Sequence, residues 1–222
     1  MVQLHSAMAG LTVIRPTVDV DIVLHLEVPS TTVPQVQGVL NALGYSLRTS
    51  IDSSAPAHRF VRGIEQIDVM VADRLAPSVH QRLGGQAMFA LPAGTQALKR
   101  TMYCNVSDDT GPTLISIPNL LGALVLKGAA YREDSRDPRR HLDDAVVLAA
   151  CIDQPMAMQV AMKGSDRARV IPLYNELKEQ SHPSWLLLDE DKRERAAMTL
   201  RILAENPQRT PEFRKVGQPP IK

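Results

Sequence analysis

The sequence predicts an α/β (α+β) protein, with a mixed sheet and flanking helices followed by a helical C-terminal region. Three observations carry this. Short runs rich in Val and Ile, bounded by turn residues, fall at roughly residues 18–28 and at 66–71. A single helix-period segment stands among the strand-like runs, so the first half reads strand, helix, strand, strand, strand rather than a regular βαβ repeat. From Pro118 onward, apolar residues recur at helical spacing.

Residues 1–14 are apolar and helical or irregular, and Gly10 breaks the run ahead of the first strand. That strand ends at Pro29-Ser-Thr-Thr. Thr32 caps a short helix with Pro34 in its first turn and Val36, Val39, Leu40 and Leu43 on one face; Gly44 stops it. A strand at 45–49 and a polar loop at 50–57 follow. Residues 58–61 and 66–71 form a hairpin turned at Arg62-Gly-Ile-Glu. Residues 81–109 are mixed, with short strands between turns at Gly84-Gly85 and Pro92-Ala-Gly; Gly-Gly followed by Gln is too common to read as a phosphate loop.

A helix over 119–132 carries Leu121, Leu124, Val125 and Ala129 on one side, with Lys127 near its middle. After a polar break, 141–151 is a second helix. Asp143 and Asp144 fall in its first turn, where the helix dipole favours negative charge. Further helices are expected at about 171–179, with Pro172 in the first turn, and at about 189–205. The domain reading is a core over 1–117, a helical region over 118–205 and a disordered tail over 206–222.

Composition narrows the function classes. The 222 residues are 44% hydrophobic and 22% charged, ordinary for a globular chain. Lys plus Arg number 25 against 24 for Asp plus Glu, which leaves no electrostatic footprint for broad polyanion binding. No stretch reaches the length of a membrane span, and no signal peptide precedes the first strand, so the expectation is a cytoplasmic protein. Cys104 and Cys151 have neither metal-ligand spacing nor a disulfide framework and read as buried, reduced thiols.

The chemistry-bearing feature is the pair Asp19 and Asp21 at the entry of the first strand. Alternation puts both carboxylates on one face and Val18, Val20 and Ile22 on the other. Asp is a poor strand former, and two like charges side by side disfavour each other unless a cation neutralises them. Two hard oxygen donors on a rigid face suit Mg²⁺, which takes a few carboxylates and keeps other positions for water and phosphate. A solvated strand start is the plainer use of such a pair. Asp68, among Ile67, Val69, Met70 and Val71, is a third carboxylate that faces something specific or is paired. Three strand-borne carboxylates holding metal ions would activate a nucleophile and neutralise a leaving pyrophosphate.

The pieces occur in a recognisable order: Thr-Val-Asp-Val-Asp-Ile from Thr17, Ile-Asp-Val-Met-Val from Ile67, Leu-Val-Leu-Lys-Gly-Ala-Ala-Tyr-Arg from Leu124, and Arg-His-Leu-Asp-Asp-Ala from Arg140. Together they resemble the nucleotidyltransferase-like toxins of the AbiEii/AbiGii type, the enzyme halves of bacterial type IV-like toxin–antitoxin and phage-defence pairs. The resemblance covers roughly residues 5–150. It implies a nucleotidyltransferase-fold sheet, Asp19, Asp21 and Asp68 as catalytic metal ligands, and Mg²⁺ as cofactor. It also implies Lys127 on the triphosphate, with Ser6 and Thr17 as further nucleotide-binding residues, and Asp144, or else Asp143, completing the site. An NTP substrate, a tRNA 3′ end or a protein as acceptor, and a cognate antitoxin are implied in the same way.

One departure stands out. The family places a Gly-Gly or Gly-Ser pair at a helix start shortly before the Asp pair, where backbone N–H groups hold phosphate. Here His5-Ser6 lies at a tolerable distance and the glycine is absent. The sequence reading puts the glycine pair upstream of Met1, in a shortened reading frame or a degenerate copy. Two alternatives stay open: a catalytically inactive protein of the same fold serving in binding or regulation, and a transferase acting on a small molecule of the aminoglycoside type. Arg132, Arg136, Arg139, Arg140, Arg167 and Arg169 offer contacts for an acceptor backbone, although a solvated helix-end cluster is the more ordinary use.

Overall fold

The computed structural model describes residues 1–11, 19–27, 32–76, 82–109 and 111–206. It is a mixed α/β arrangement in which a sheet with one covered face adjoins a packed set of helices. The expectations for Thr17 and for most of the tail fall outside the described residues. No helix among the described residues is long and apolar enough to cross a membrane.

The chain opens with α1 (Val2–Met8), whose run ends in the turn where Gly10 takes φ +67°. β1 (Asp19–Leu24) and α2 (Val33–Ala42) follow. Thr32 and Gln35 close a capping box at the start of α2: the Gln35 amide donates to Thr32 Oγ1 at 3.4 Å, and the Thr32 amide donates to Gln35 Oε1 at 2.9 Å. Next come β2 (Ser46–Arg48), β3 (Arg59–Arg62) and β4 (Glu65–Ala72). The short strands β5 (Arg82–Leu83), β6 (Gln86–Ala87) and β7 (Ala90–Leu91) complete this part.

The main sheet has the order β1-β4-β3-β2, with β7 joining β4 in parallel at Val71 and Ala72. β4 runs parallel to β1 and antiparallel to β3. Alternation divides this sheet chemically. Ile22, Leu24, Phe60, Ile67, Val69 and Val71 point to one face and pack with Val33 and Leu40 of α2 in a buried cluster. The opposite face carries Asp19, Asp21, Gln66, Asp68 and Arg59.

After α3 (Gly94–Leu98), β8 (Thr101–Asp108) and β9 (Gly111–Pro118) pair along their whole length as a hairpin. α4 (Leu120–Glu133), α5 (Arg139–Ala150), α6 (Pro155–Ala161), α7 (Asp166–Leu177), a 3₁₀ turn (Pro183–Leu187) and α8 (Glu190–Ala204) then build a second cluster. Leu124, Val146, Leu148, Val170, Leu173 and Leu200 lie at its centre. Trp185 is buried there and donates its indole N–H to the Leu177 carbonyl at 3.1 Å. α1 joins this cluster by lying against α5.

Several boundaries depart from the sequence reading. Residues 101–118 form one long hairpin rather than part of a region of short strands, and α3, α6 and the 3₁₀ turn had no sequence counterpart. α5 begins at Arg139, so Asp143 and Asp144 lie beyond the first turn and the helix-dipole role does not apply to them. α7 begins at Asp166, which leaves Pro172 inside the helix. Pro172 resembles a helix start because its ring fixes φ and removes a donor. The true start is instead anchored by the Asp166 carboxylate, which accepts from the Lys163 amide at 2.7 Å and from Gln96 Nε2 at 2.9 Å.

One glycine sets the distance between α4, the helix that carries Lys127, and α7. A Cβ on Gly128 would lie 2.0 Å from the backbone carbonyl oxygen of Arg169, so α4 and α7 meet backbone to backbone at this point. Gly128→Ala is expected to destabilise the fold by at least about 1–3 kcal/mol, the usual range for overpacking, since backbone rather than a mobile side chain must move. Urea unfolding of the variant beside wild type measures it; an unchanged midpoint would contradict this packing.

Candidate active site

The parallel register of β1 and β4 sets Asp21 directly opposite Asp68, with Asp19 opposite Gln66. Since opposed residues share a sheet face, all three carboxylates project to the side that α2 leaves uncovered. Helices α4 and α5 bring Lys127 and Asp144 to this region. Lys127 Nζ lies 2.8 Å from Asp144 Oδ2, and both side chains are largely buried.

Asp21 registers its surroundings. It is exposed on the open face of the sheet, yet neighbouring protein partly desolvates its carboxyl, which is pushed up from the ordinary value. Desolvation is the largest cause, followed by repulsion from Asp19; Asp68 adds to the rise, while Lys127 and Arg140 oppose it. The first turn of α1 approaches the same place, for the Met1 nitrogen feels Lys127, Asp144 and Asp21. Strand carboxylates and helix cations therefore lie within electrostatic reach of one another at the open face of the sheet.

Asp68 is engaged on both oxygens. Arg59 Nε donates to Oδ1 at 2.9 Å and Nη2 to Oδ2 at 2.8 Å, while Gln66 Nε2 adds a bond of 3.2 Å. Among the described residues, no three His, Cys, Asp or Glu side chains are grouped closely enough to hold a metal ion between them. The pair Asp19 and Asp21 would offer Mg²⁺ two hard oxygen donors on one rigid strand face.

The structure places Ser6, expected at the nucleotide, in a buried position beside the turn after α1. It is 1% exposed, and its Oγ donates to the Leu11 carbonyl at 3.3 Å, closing the turn after α1. His5, beside it, bonds the Pro118 carbonyl at 2.8 Å and ties α1 to the end of β9. Asp143 accepts a 2.6 Å hydrogen bond from the Ser184 hydroxyl, a tie between α5 and the 3₁₀ turn, which leaves Asp144 as the acidic residue facing Lys127. Cys104 and Cys151 are buried and free, and burial pushes the Cys151 thiol up to about 11.

Of the candidate arginines, Arg140 lies within electrostatic reach of Asp21 and Arg169 lies 3.8 Å from Asp73. Arg140 is oriented by Asp134, which accepts from its Nη2 at 2.8 Å, from His141 Nε2 at 3.1 Å and from the amides of Arg136 and Asp137. These bonds hold the Asp134 carboxyl far below the usual range. Arg59 and Asp134 escaped the sequence reading. For Arg59 a signal existed: the turn at 62–65 fixes the hairpin register, and that register puts Arg59 opposite Asp68.

Compared with protein-family models, curated proteins and solved structures, the chain has no match.

Proposed function

We propose that this site performs Mg²⁺-dependent nucleotidyl transfer, moving a nucleoside monophosphate from an NTP to an acceptor and releasing pyrophosphate. The observation that carries the reading is the register of β1 with β4: it joins Asp19, Asp21 and Asp68 on one face, toward the Lys127–Asp144 pair. Asp19 and Asp21 hold the cation. Bound there, Mg²⁺ supplies neutralisation of the triphosphate and of the leaving pyrophosphate. Lys127 donates to a phosphate oxygen, and Asp144 keeps its ammonium aimed until substrate arrives. The bond formed joins the acceptor oxygen to the α-phosphorus, and the bond broken is that from the α-phosphorus to the bridging oxygen of the departing pyrophosphate. The acceptor's hydroxyl proton is released to solvent. The resemblance to AbiEii-type proteins adds the rest of the proposal: a toxin or phage-defence role, a tRNA 3′ end as the acceptor to try first, and an antitoxin protein as partner.

The test is incubation of the purified chain with Mg²⁺, each labelled NTP in turn and total tRNA. The expected result is label in RNA from one preferred NTP, abolished by EDTA. Folded protein that transfers no label from any NTP to RNA, protein or an aminoglycoside overturns the reading. Lys127→Met is expected to lower kcat/KM about 10²–10³-fold, the range for loss of one charge-stabilising donor. Asp144→Asn should cost less, because it removes only the group that holds the lysine.

A second reading has its own observation. Asp68 is satisfied by Arg59 on both oxygens, as a structural carboxylate would be, which favours a binding protein of this architecture without turnover. Such a protein would retain NTP in equilibrium dialysis and transfer nothing.

A further inference from the structure

Arg59 has no role in the transfer chemistry proposed above, yet its position is set by the same strand that sets Asp68. β3 runs antiparallel to β4 and places Arg59 directly opposite Asp68, while β1 places Asp21 opposite it on the other side. Asp21, Asp68 and Arg59 thus form one row across three adjacent strands. The guanidinium takes both Asp68 oxygens through Nε and Nη2, and a bidentate pair of this kind is among the strong charge-assisted ones. Gln66 adds a third donor, and His58 Nε2 stands 4.0 Å from Oδ2.

The Asp68 side chain is 11% exposed and that of Arg59 37%, so the carboxylate is enclosed while the guanidinium closes it from the outside. Arg does not lose its proton in proteins, so this positive charge is permanent. A cation at Asp68 would have to displace a bidentate partner already fixed by the strand register. Arg59 also lies within electrostatic reach of Asp19 and Asp21.

We infer, on the reading of this site as a metal-dependent one, that Arg59 takes the place of a cation at Asp68. The site then holds one divalent ion, on the Asp19–Asp21 side, and Asp68 anchors Arg59 beside that ion rather than ligating it. Arg59 is a positioning residue in this scheme: it neutralises the third carboxylate and keeps it from ligating the ion.

The test uses Mn²⁺ in place of Mg²⁺, titrated into the full chain without nucleotide and followed by the paramagnetic resonance signal of free Mn²⁺. Wild type should bind one ion per chain. Asp21→Asn should weaken binding about tenfold or more, whereas Asp68→Asn should leave it within about twofold. Arg59→Gln frees Asp68 and should tighten binding about tenfold or add a second ion, a gain that disappears in Arg59→Gln/Asp68→Asn. That double variant carries an amide on each side and serves as the control for folding. Tenfold weaker binding by Asp68→Asn in the otherwise intact chain overturns the inference while leaving the metal site standing. Binding absent from wild type, or indifferent to Asp21→Asn, overturns the metal reading itself.

Discussion

Replacing Asp19 and Asp21 together by alanine is expected to lower nucleotidyl transfer at least about 10³-fold, because the cation and its several kcal/mol of charge stabilisation lose both strand ligands. The same change should not harm the fold. Asp21, although exposed, is partly desolvated by neighbouring protein and repelled by Asp19 and Asp68, so its ionised form is a burden on the folded chain in the absence of a cation. Its carboxyl value is raised on folding, so the folded state binds that proton more tightly than the unfolded state. The cost is therefore present in full above the raised folded value and fades as pH falls through it to the unfolded value. Thermal unfolding at neutral pH in EDTA should show Asp21→Asn melting at or above wild type. Loss of activity with retained or increased stability is the signature of a functional pair; a variant that melts well below wild type would mean the carboxylates are structural.

The second large effect concerns the helices. Arg100→Met is expected to destabilise the fold by about 3–5 kcal/mol, the range for stripping one partner from a buried ion pair. Asp166 is 0% exposed and Arg100 only 15% at the side chain. Arg100 donates through both terminal nitrogens to the two Asp166 oxygens. Without it, a buried carboxylate keeps only Gln96 and the Lys163 amide as donors close at hand. The damage should reach the site as well, because Asp166 anchors the start of α7, and α7 meets α4 at Gly128, the residue after Lys127. Urea unfolding measures the loss. Arg100→Met/Asp166→Leu should recover a large part of it, since no charge then remains buried; equal instability of single and double variants would locate the effect in packing instead.

Much of the site was legible in the sequence because it depends on local alternation. A period of two places Asp19 and Asp21 on one face whatever the rest of the chain does, and the hairpin turn at 62–65 fixes which residues of β3 and β4 oppose each other. Capping was legible for the same reason: Thr32, Gln35 and Pro34 lie within one turn of α2. The α5 start was misplaced because its anchor, Asp134, lies before the helix and acts through loop amides and side chains on the following turn. The α7 start was misplaced because the partners of Asp166 include Gln96 and Arg100, far away in sequence.

The sequence by itself determined which residues form the carboxylate face, that helices follow the sheet, and which lysine stands on the helix after it. Tertiary structure alone decided three further matters. Parallel pairing of β1 with β4 brought Asp21 and Asp68 opposite each other across 46 intervening residues. Packing of α4 against α5 chose Asp144 over Asp143 as the partner of Lys127. Docking of α1 against the end of β9, where His5 bonds the Pro118 carbonyl at 2.8 Å, left Ser6 buried at 1% exposure. Each depends on contacts between segments that no local period relates, since parallel strands need a crossover and helix faces select their neighbours only when the core closes.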